Sequence, residues 1–172
     1  MLERFLPDFI FNTFDEVTPE FLAAEGIRFL LIDIDNTLAP YEEPLPSETI
    51  KRWFADLDAA GVRAVLVSNN HRERVELFNS ELGLPAFADC HKPSTKMLRK
   101  IMKQFDARVE ETSALGDQIF TDVWGAKTIG ARAILVPPIR DKKTLFFRTK
   151  RLLEKPFLRM YKKRKSKNAT KR

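Results

Sequence analysis

Apolar residues in this chain fall into two alternating patterns. Short, largely apolar runs, Phe29 to Ile34, Val62 to Val67 and Ala131 to Val136, are rich in branched side chains, each holding one charged residue (Asp33, Arg63, Arg132), and are bounded by polar or breaker residues. That pattern predicts strands buried on both faces. Pro85 to Ala88 and Ser113 to Gly116 are weaker candidates of the same kind. Between the runs, apolar positions recur at helical spacing. Ile50, Trp53, Phe54 and Leu57 follow Ser47, an N-cap residue type, with Gly61 past the end. Val75, Leu77, Phe78 and Leu82 predict a helix over 72–82 closed by Gly83. Met97, Leu98, Ile101, Met102 and Phe105 predict one over 94–105, and Val123, Trp124 and Ala126 one over 119–129 closed by Gly130. This alternation predicts an α/β fold with a mostly parallel sheet. In such sheets the ligand lies outside the carboxyl ends of the strands, near a topological switch point.

Length and composition narrow the picture. With 172 residues the chain is sized for one domain, and 44% hydrophobic residues exclude a wholly disordered polymer. A single cysteine, Cys90, excludes an intramolecular disulfide framework and a zinc site built on several thiolates. With no run near the ~20 apolar residues of a spanning helix, and an N-terminus (MLERFLPDF) lacking the order of a signal peptide, the expected compartment is the cytosol. The net charge of +6 hides an asymmetry. Residues 140–172 carry fifteen Lys plus Arg against Asp141 and Glu154, a charge of +13, which leaves −7 on residues 1–139. The expected organisation is therefore a domain over 1–139, with residues 1–26 packing on it as an extension, and a basic amphipathic segment and tail over 140–172. A basic tail implies an anionic partner: nucleic acid, ribosome or membrane surface.

The polar residues gather where the predicted strands end. Asp33 and Asp35 flank Ile34 and so point the same way. Two such carboxylates repel unless a cation or shared proton intervenes, and a hard divalent ion such as Mg²⁺ suits oxygen ligands. An isolated Asp-x-Asp equally suits a plain turn. Ser68-Asn69-Asn70 can hold an anion's oxygens through a hydroxyl and backbone N–H groups. Lys92 precedes Pro93 in an extended segment just before a helix, from which it reaches the cleft as a point charge. Gly116 allows a tight turn, and Asp117 and Asp122 add two more carboxylates. Carboxylates, hydroxyl, lysine and carboxylates at successive strand ends form a constellation suited to phosphoryl transfer through an aspartyl-phosphate.

In this order the motifs resemble those of the haloacid dehalogenase (HAD) superfamily of phosphatases. Asp33-Ile34-Asp35-Asn36-Thr37 matches the first motif, Ser68 the second, Lys92 the third, and Gly116-Asp117 with Asp122 the fourth. More narrowly, Leu6-Pro7-Asp8, Asp33 to Leu38, Val67 to Asn70 and Lys92-Pro93 resemble the bacterial YqeG group of subclass IIIA, related to phosphatidylglycerophosphate phosphatases. The resemblance implies a Rossmann-like three-layer sandwich and a Mg²⁺-dependent phosphomonoester hydrolase. Asp33 would be nucleophile and metal ligand. Asp35 would be general acid, then base, with its backbone carbonyl on the metal. Asp117 would be the third metal ligand, and Asp122 would support the metal site or orient Lys92. Thr37, Ser68, Asn69 and Lys92 would serve the phosphoryl group, Thr37 by ordering the first loop.

Spacing bears on the substrate. Ser68 follows Asp35 by 33 positions and Lys92 follows Ser68 by 24, each gap filled by one helix and a loop or short strand. Neither has room for a cap domain, so an open cleft is expected, unless a second subunit serves as the lid in a homo-oligomer. Thr144 to Tyr161 mixes nine apolar residues with cations and reads as a basic amphipathic helix interrupted at Pro156, followed by a polybasic, unstructured stretch from Lys162. Its apolar stripe, like Phe5, Leu6, Phe9, Ile10, Phe11 and Phe14, equally suits packing on the body. A lipid phosphate such as phosphatidylglycerophosphate, met at the inner membrane face, fits resemblance and tail together. Sugar phosphates, 3′-phosphorylated nucleic-acid ends, and a non-catalytic RNA- or ribosome-binding protein of the same fold are the alternatives. A response-regulator receiver fits less well, since Asp35 and the late Gly116-Asp117 pair do not suit it. His71, His91 and Cys90 receive no catalytic role.

Overall fold

A computed structural model describes residues 2–140 and the backbone of 145–169, with side chains on that last segment described from 152 to 165. Six strands form one sheet: β1 (Phe9–Ile10), β2 (Phe29–Ile32), β3 (Arg63–Val67), β4 (Ala86–Phe87), β5 (Thr112–Gly116) and β6 (Arg132–Leu135). Their order is β1-β6-β5-β2-β3-β4 and every pair is parallel. Side chains alternate along β2: Leu30 and Ile32 enter one core, Phe29 and Leu31 the other. The helices α1 (Pro19–Ala24), α2 (Glu48–Ala59) and α3 (Arg72–Asn79) cover the first face. The second is covered by α4 (Thr95–Gln104), α5 (Trp124–Ile129) and the middle of α6 (Leu145–Ala169). This is the three-layer α/β sandwich expected from the alternation of patterns.

Local chemistry explains the helix ends. Ser47 caps α2, its hydroxyl accepting from Ile50 N at 3.4 Å. The helix predicted over 72–82 stops at Asn79, whose side chain instead bonds both backbone groups of Leu84. Within α3, Leu77 is exposed, contrary to its place in the apolar pattern. The predicted helix over 119–129 opens with a wide π turn, Ile119–Val123, before α5 begins.

The chain ends also pack. β1 adds to the sheet beside β6, Phe5 meets Phe120 and Trp124, and Phe9 and Phe11 stack edge-on against Phe21. In α6, Pro156 does not interrupt the helix, and the stretch from Lys162, expected to be unstructured, continues as helix to Ala169. Lys and Arg are good helix formers, and cations at a helix carboxyl end are favoured by its dipole. The inner side of α6 is docked: Glu154 and Tyr161 are buried, and Phe157 meets Phe5 and Phe120. The side chains of Leu145, Phe146 and Phe147, part of the predicted apolar stripe, lie outside the described residues.

β2 is the first strand laid down at the middle of the sheet. The chain goes from it to β3 and β4 on one side, then crosses to β5 and β6 on the other. The switch point therefore falls between β2 and β5, and the loops leaving their carboxyl ends begin at Asp33 and Asp117.

Candidate active site

Four strand ends converge on one cleft of about 320 Å³, lined by Asp33, Asp35, Ser68, Asn69, Lys92 and Asp122, with Tyr41, Asn70, Gln118 and Thr121 completing its wall. Each position is set by the ladder. Asp33 N bonds Leu115 O at 2.9 Å and Ser68 N bonds Phe87 O at 2.9 Å, so both side chains start where their strands stop. Asn36 then turns the chain through the left-handed region (φ 66°), which Asn tolerates better than most residues. Its backbone N–H bonds Ala39 O at 2.7 Å, closing the first loop.

Lys92 is the electrostatic centre. Its ammonium donates to Asp33 Oδ1 at 2.8 Å and to Asp122 Oδ1 at 2.7 Å, all three groups being buried. Burial alone would pull the ammonium's pKa down, but Asp122 and Asp33 outweigh it and hold the pKa above its usual value. Burial pushes the Asp33 carboxyl up to about 6, aided by Asp122 and Asp35 and opposed by Lys92. Thr37 Oγ1 donates to Asp33 Oδ2 at 3.0 Å and is itself buried behind it. Thr37 therefore orients Asp33 and does not line the cleft.

Asp35 is held differently. Asn70 Nδ2 donates to its Oδ2 at 3.0 Å, and Arg74 Nε to its Oδ1 at 3.2 Å, with Nη2 at 3.1 Å but off the hydrogen-bonding line. Arg74 Nη1 also donates to Pro44 O, tying Asp35 to the loop that carries Tyr41. The Ser68 hydroxyl accepts from Asn70 N at 3.0 Å, which leaves its hydrogen for an oxygen in the cleft. The Asn69 side chain brackets the Lys92 backbone, accepting from its N–H and donating to its C=O.

Asp33, Asp117 and Asp122 bring one oxygen each within 4.8 Å of one another, and all are buried. A buried all-carboxylate donor set suits a hard divalent cation. Asp35, expected on the metal through its carbonyl, turns its carboxylate towards Arg74 and Asn70. The turn expected at Gly116 needs no left-handed backbone there. A Cβ there would lie 2.3 Å from Asp122 Cγ, so glycine is needed to admit Asp122. Asp122 Oδ2 accepts from Gln118 N and Thr121 Oγ1, which fixes its second oxygen.

The structure brings every sequence-predicted site residue to one place, with Thr37 buried behind the cleft and Asp117 buried beside it. It adds Tyr41 and Arg74, which lie outside the motif stretches, and brings Asn70, Gln118 and Thr121, from within those stretches, into the wall. Arg74 had one signal: a cation in the first turn of a helix opposes the dipole there and needs another reason. Of the residues set aside, His71 pairs with Asp89 at the surface, and burial pushes the Cys90 thiol up to about 11, leaving it a poor nucleophile.

A family model described as HAD-hydrolase-like matches residues 89–138. The probable phosphatase YqeG of Bacillus subtilis is 33% identical over 160 residues, 92% of each chain. The chain belongs to the HAD-like phosphatase family. A glyceraldehyde 3-phosphate phosphatase of Pyrococcus furiosus is more distant, 23% identical over 74% of this HAD-like chain and 54% of its own. Among solved structures, an uncharacterized protein from Listeria monocytogenes superposes with a TM-score of 0.55 at 14% identity, over 69% of this chain and 85% of its own. CbbY from Rhodobacter sphaeroides, in complex with phosphate, gives 0.53 at 16% identity, over 69% and 91%. The cobalt-bound deoxy-D-mannose-octulosonate 8-phosphate phosphatase of Haemophilus influenzae gives 0.52 at 15% identity, over 80% and 90%. At these identities the structural likenesses establish the HAD-like fold alone.

Proposed function

We propose that the protein is a Mg²⁺-dependent phosphomonoester hydrolase that works through an aspartyl-phosphate on Asp33. The observation that carries this reading is the buried Lys92 ammonium shared by Asp33 and Asp122 in the wall of the cleft. Lys92 and Thr37 each hold one Asp33 oxygen in place, with the carboxylate facing the cleft. Asp33 attacks phosphorus and the bond to the leaving oxygen breaks. Asp35, two residues on and aimed by Asn70 and Arg74, gives that oxygen its proton, which an alkoxide leaving group needs. Water then attacks the phosphorus, Asp35 takes its proton, and the Asp33 carboxylate is released with inorganic phosphate. Ser68 Oγ–H and Lys92 neutralise phosphoryl oxygens throughout. Asp33, Asp117 and Asp122 would hold the Mg²⁺, or Asp122 would act only through Lys92; when bound, the ion supplies positive charge where two anions must meet.

The substrate class we favour is a lipid phosphate such as phosphatidylglycerophosphate. Support comes from the open cleft, from the likeness to YqeG, and from a −7 body carrying a +13 tail. The test is phosphate release from an aryl phosphate with and without Mg²⁺, then from phosphatidylglycerophosphate, sugar phosphates and 3′-phosphorylated oligonucleotides side by side. Turnover that survives Asp33→Asn would refute the mechanism, and preference for a sugar phosphate the substrate.

A further inference from the structure

The helix α6 has two unlike sides. Its inner side is fixed: Glu154 Oε1 accepts from Ile119 N at 2.9 Å, Phe157 packs on Phe5 and Phe120, and Tyr161 is buried. At about 3.6 residues per turn, Leu152, Leu153 and Met160 face away from the body, and they are 60%, 56% and 40% exposed. Leu153 and Met160, seven apart, share one flank. The exposed cations Lys155, Arg159 and Lys162 share the other.

We propose that this outward face of α6 is a docking surface for an anionic lipid bilayer. The helix cannot rotate to hide its leucines without pulling Glu154 from Ile119 N, so the apolar flank stays outward. Aliphatic side chains beside a row of cations fit the headgroup boundary: the apolar flank enters it and the cations meet lipid phosphates. Nucleic acid fits less well, because single strands are held by stacking on aromatic faces. The aromatics described on α6, Phe157 and Tyr161, face the body. A second copy of the same face would bring like-charged rows together. The acidic body orients the molecule, since an anionic surface attracts the tail and repels the rest. Ile119 follows Gln118, a wall residue of the cleft, so α6 is anchored one residue from the cleft wall.

The surface is read by binding and the chemistry by a soluble aryl phosphate, so this inference and the lipid-substrate reading fail separately. The experiment is flotation of the full chain with phosphatidylcholine vesicles, with and without phosphatidylglycerol. The wild type should float with the anionic vesicles and stay behind with the neutral ones. The double variants Leu153→Glu/Met160→Glu and Lys155→Glu/Arg159→Glu should each cut the bound fraction at least ~10-fold, with Tm and aryl phosphate turnover unchanged. Absence of flotation with anionic vesicles, equal flotation with neutral ones, or a Leu153→Glu/Met160→Glu variant that floats like wild type would overturn the proposal. So would salt-sensitive RNA binding that displaces the protein from vesicles, or a dimer that Leu153→Glu dissociates in the absence of lipid.

Discussion

Lys92 is a buried cation between two buried carboxylates, and most residue-level expectations follow from that triad. Lys92→Met leaves Asp33 and Asp122 buried beside each other without their cation. It should destabilise the fold by about 3–5 kcal/mol in urea unfolding and abolish turnover. Asp33 predicts a pH effect of definite sign. Its folded pKa, about 6, lies above the ordinary value of 3.8, so the metal-free folded state binds the extra proton between those values. Stability from this group is present below about pH 4 and lost as pH rises through 6. Metal-free Asp33→Asn should therefore melt higher than wild type at pH 7.5, with the difference vanishing near pH 4. Gly116→Ala should displace Asp122 and loosen Lys92, seen as lost turnover in a protein that still folds. At this scale the motif residues were legible because each sits at a strand end or in the loop that leaves it, and its type fits phosphoryl chemistry. Arg74 and Tyr41 were not, nor was the hold of the Asn70 side chain on Asp35, since these depend on how α3 and the 40–47 loop fold back on Asp35.

The π turn Ile119–Val123 is where an element and the site meet. Asp122 lies in it, Gly116 leads into it, and its first N–H is satisfied by Glu154 from a helix 35 residues away. Glu154→Ala strands Ile119 N in a buried setting, which should cost about 1–3 kcal/mol. Turnover should fall along with Tm, and Glu154→Gln, which retains an acceptor, should restore much of both. The longer strands were readable from composition because strands covered on both faces are mostly apolar, with polar residues (Arg63, Thr112, Ser113, Arg132) only at their first one or two positions. The helices were readable in register but not in length. Asn79 stops α3 through its own side chain, and the π turn keeps Ile119 and Val123 buried while changing the hydrogen bonding between them. The continuation of α6 past Lys162 was missed because a run of cations reads as solvated chain. Docking of Glu154, Phe157 and Tyr161 supplies the anchored helix onto which that run extends.

For the whole molecule, the governing fact is an acidic carboxylate cluster at the switch point of a parallel sheet, with no cap domain among the described residues to cover it. Chelation should therefore abolish turnover, Mg²⁺ should restore it, and Asp117→Asn should raise the Mg²⁺ concentration needed. The architecture was legible because strand and helix patterns alternate throughout. The docking of both chain ends was only half legible, since an apolar stripe has the same spacing whether it faces a core or a bilayer. The most direct test of the Asp33 mechanism is an acid quench during turnover of an aryl phosphate, whose leaving group departs without the Asp35 proton, followed by peptide mass analysis, on wild type and on Asp35→Asn, in which water activation is then the impaired step. One phosphoryl group should be found on Asp33, accumulating in Asp35→Asn and absent from Asp33→Asn. A phosphoryl group on another residue, or steady turnover by Asp33→Asn, would contradict it.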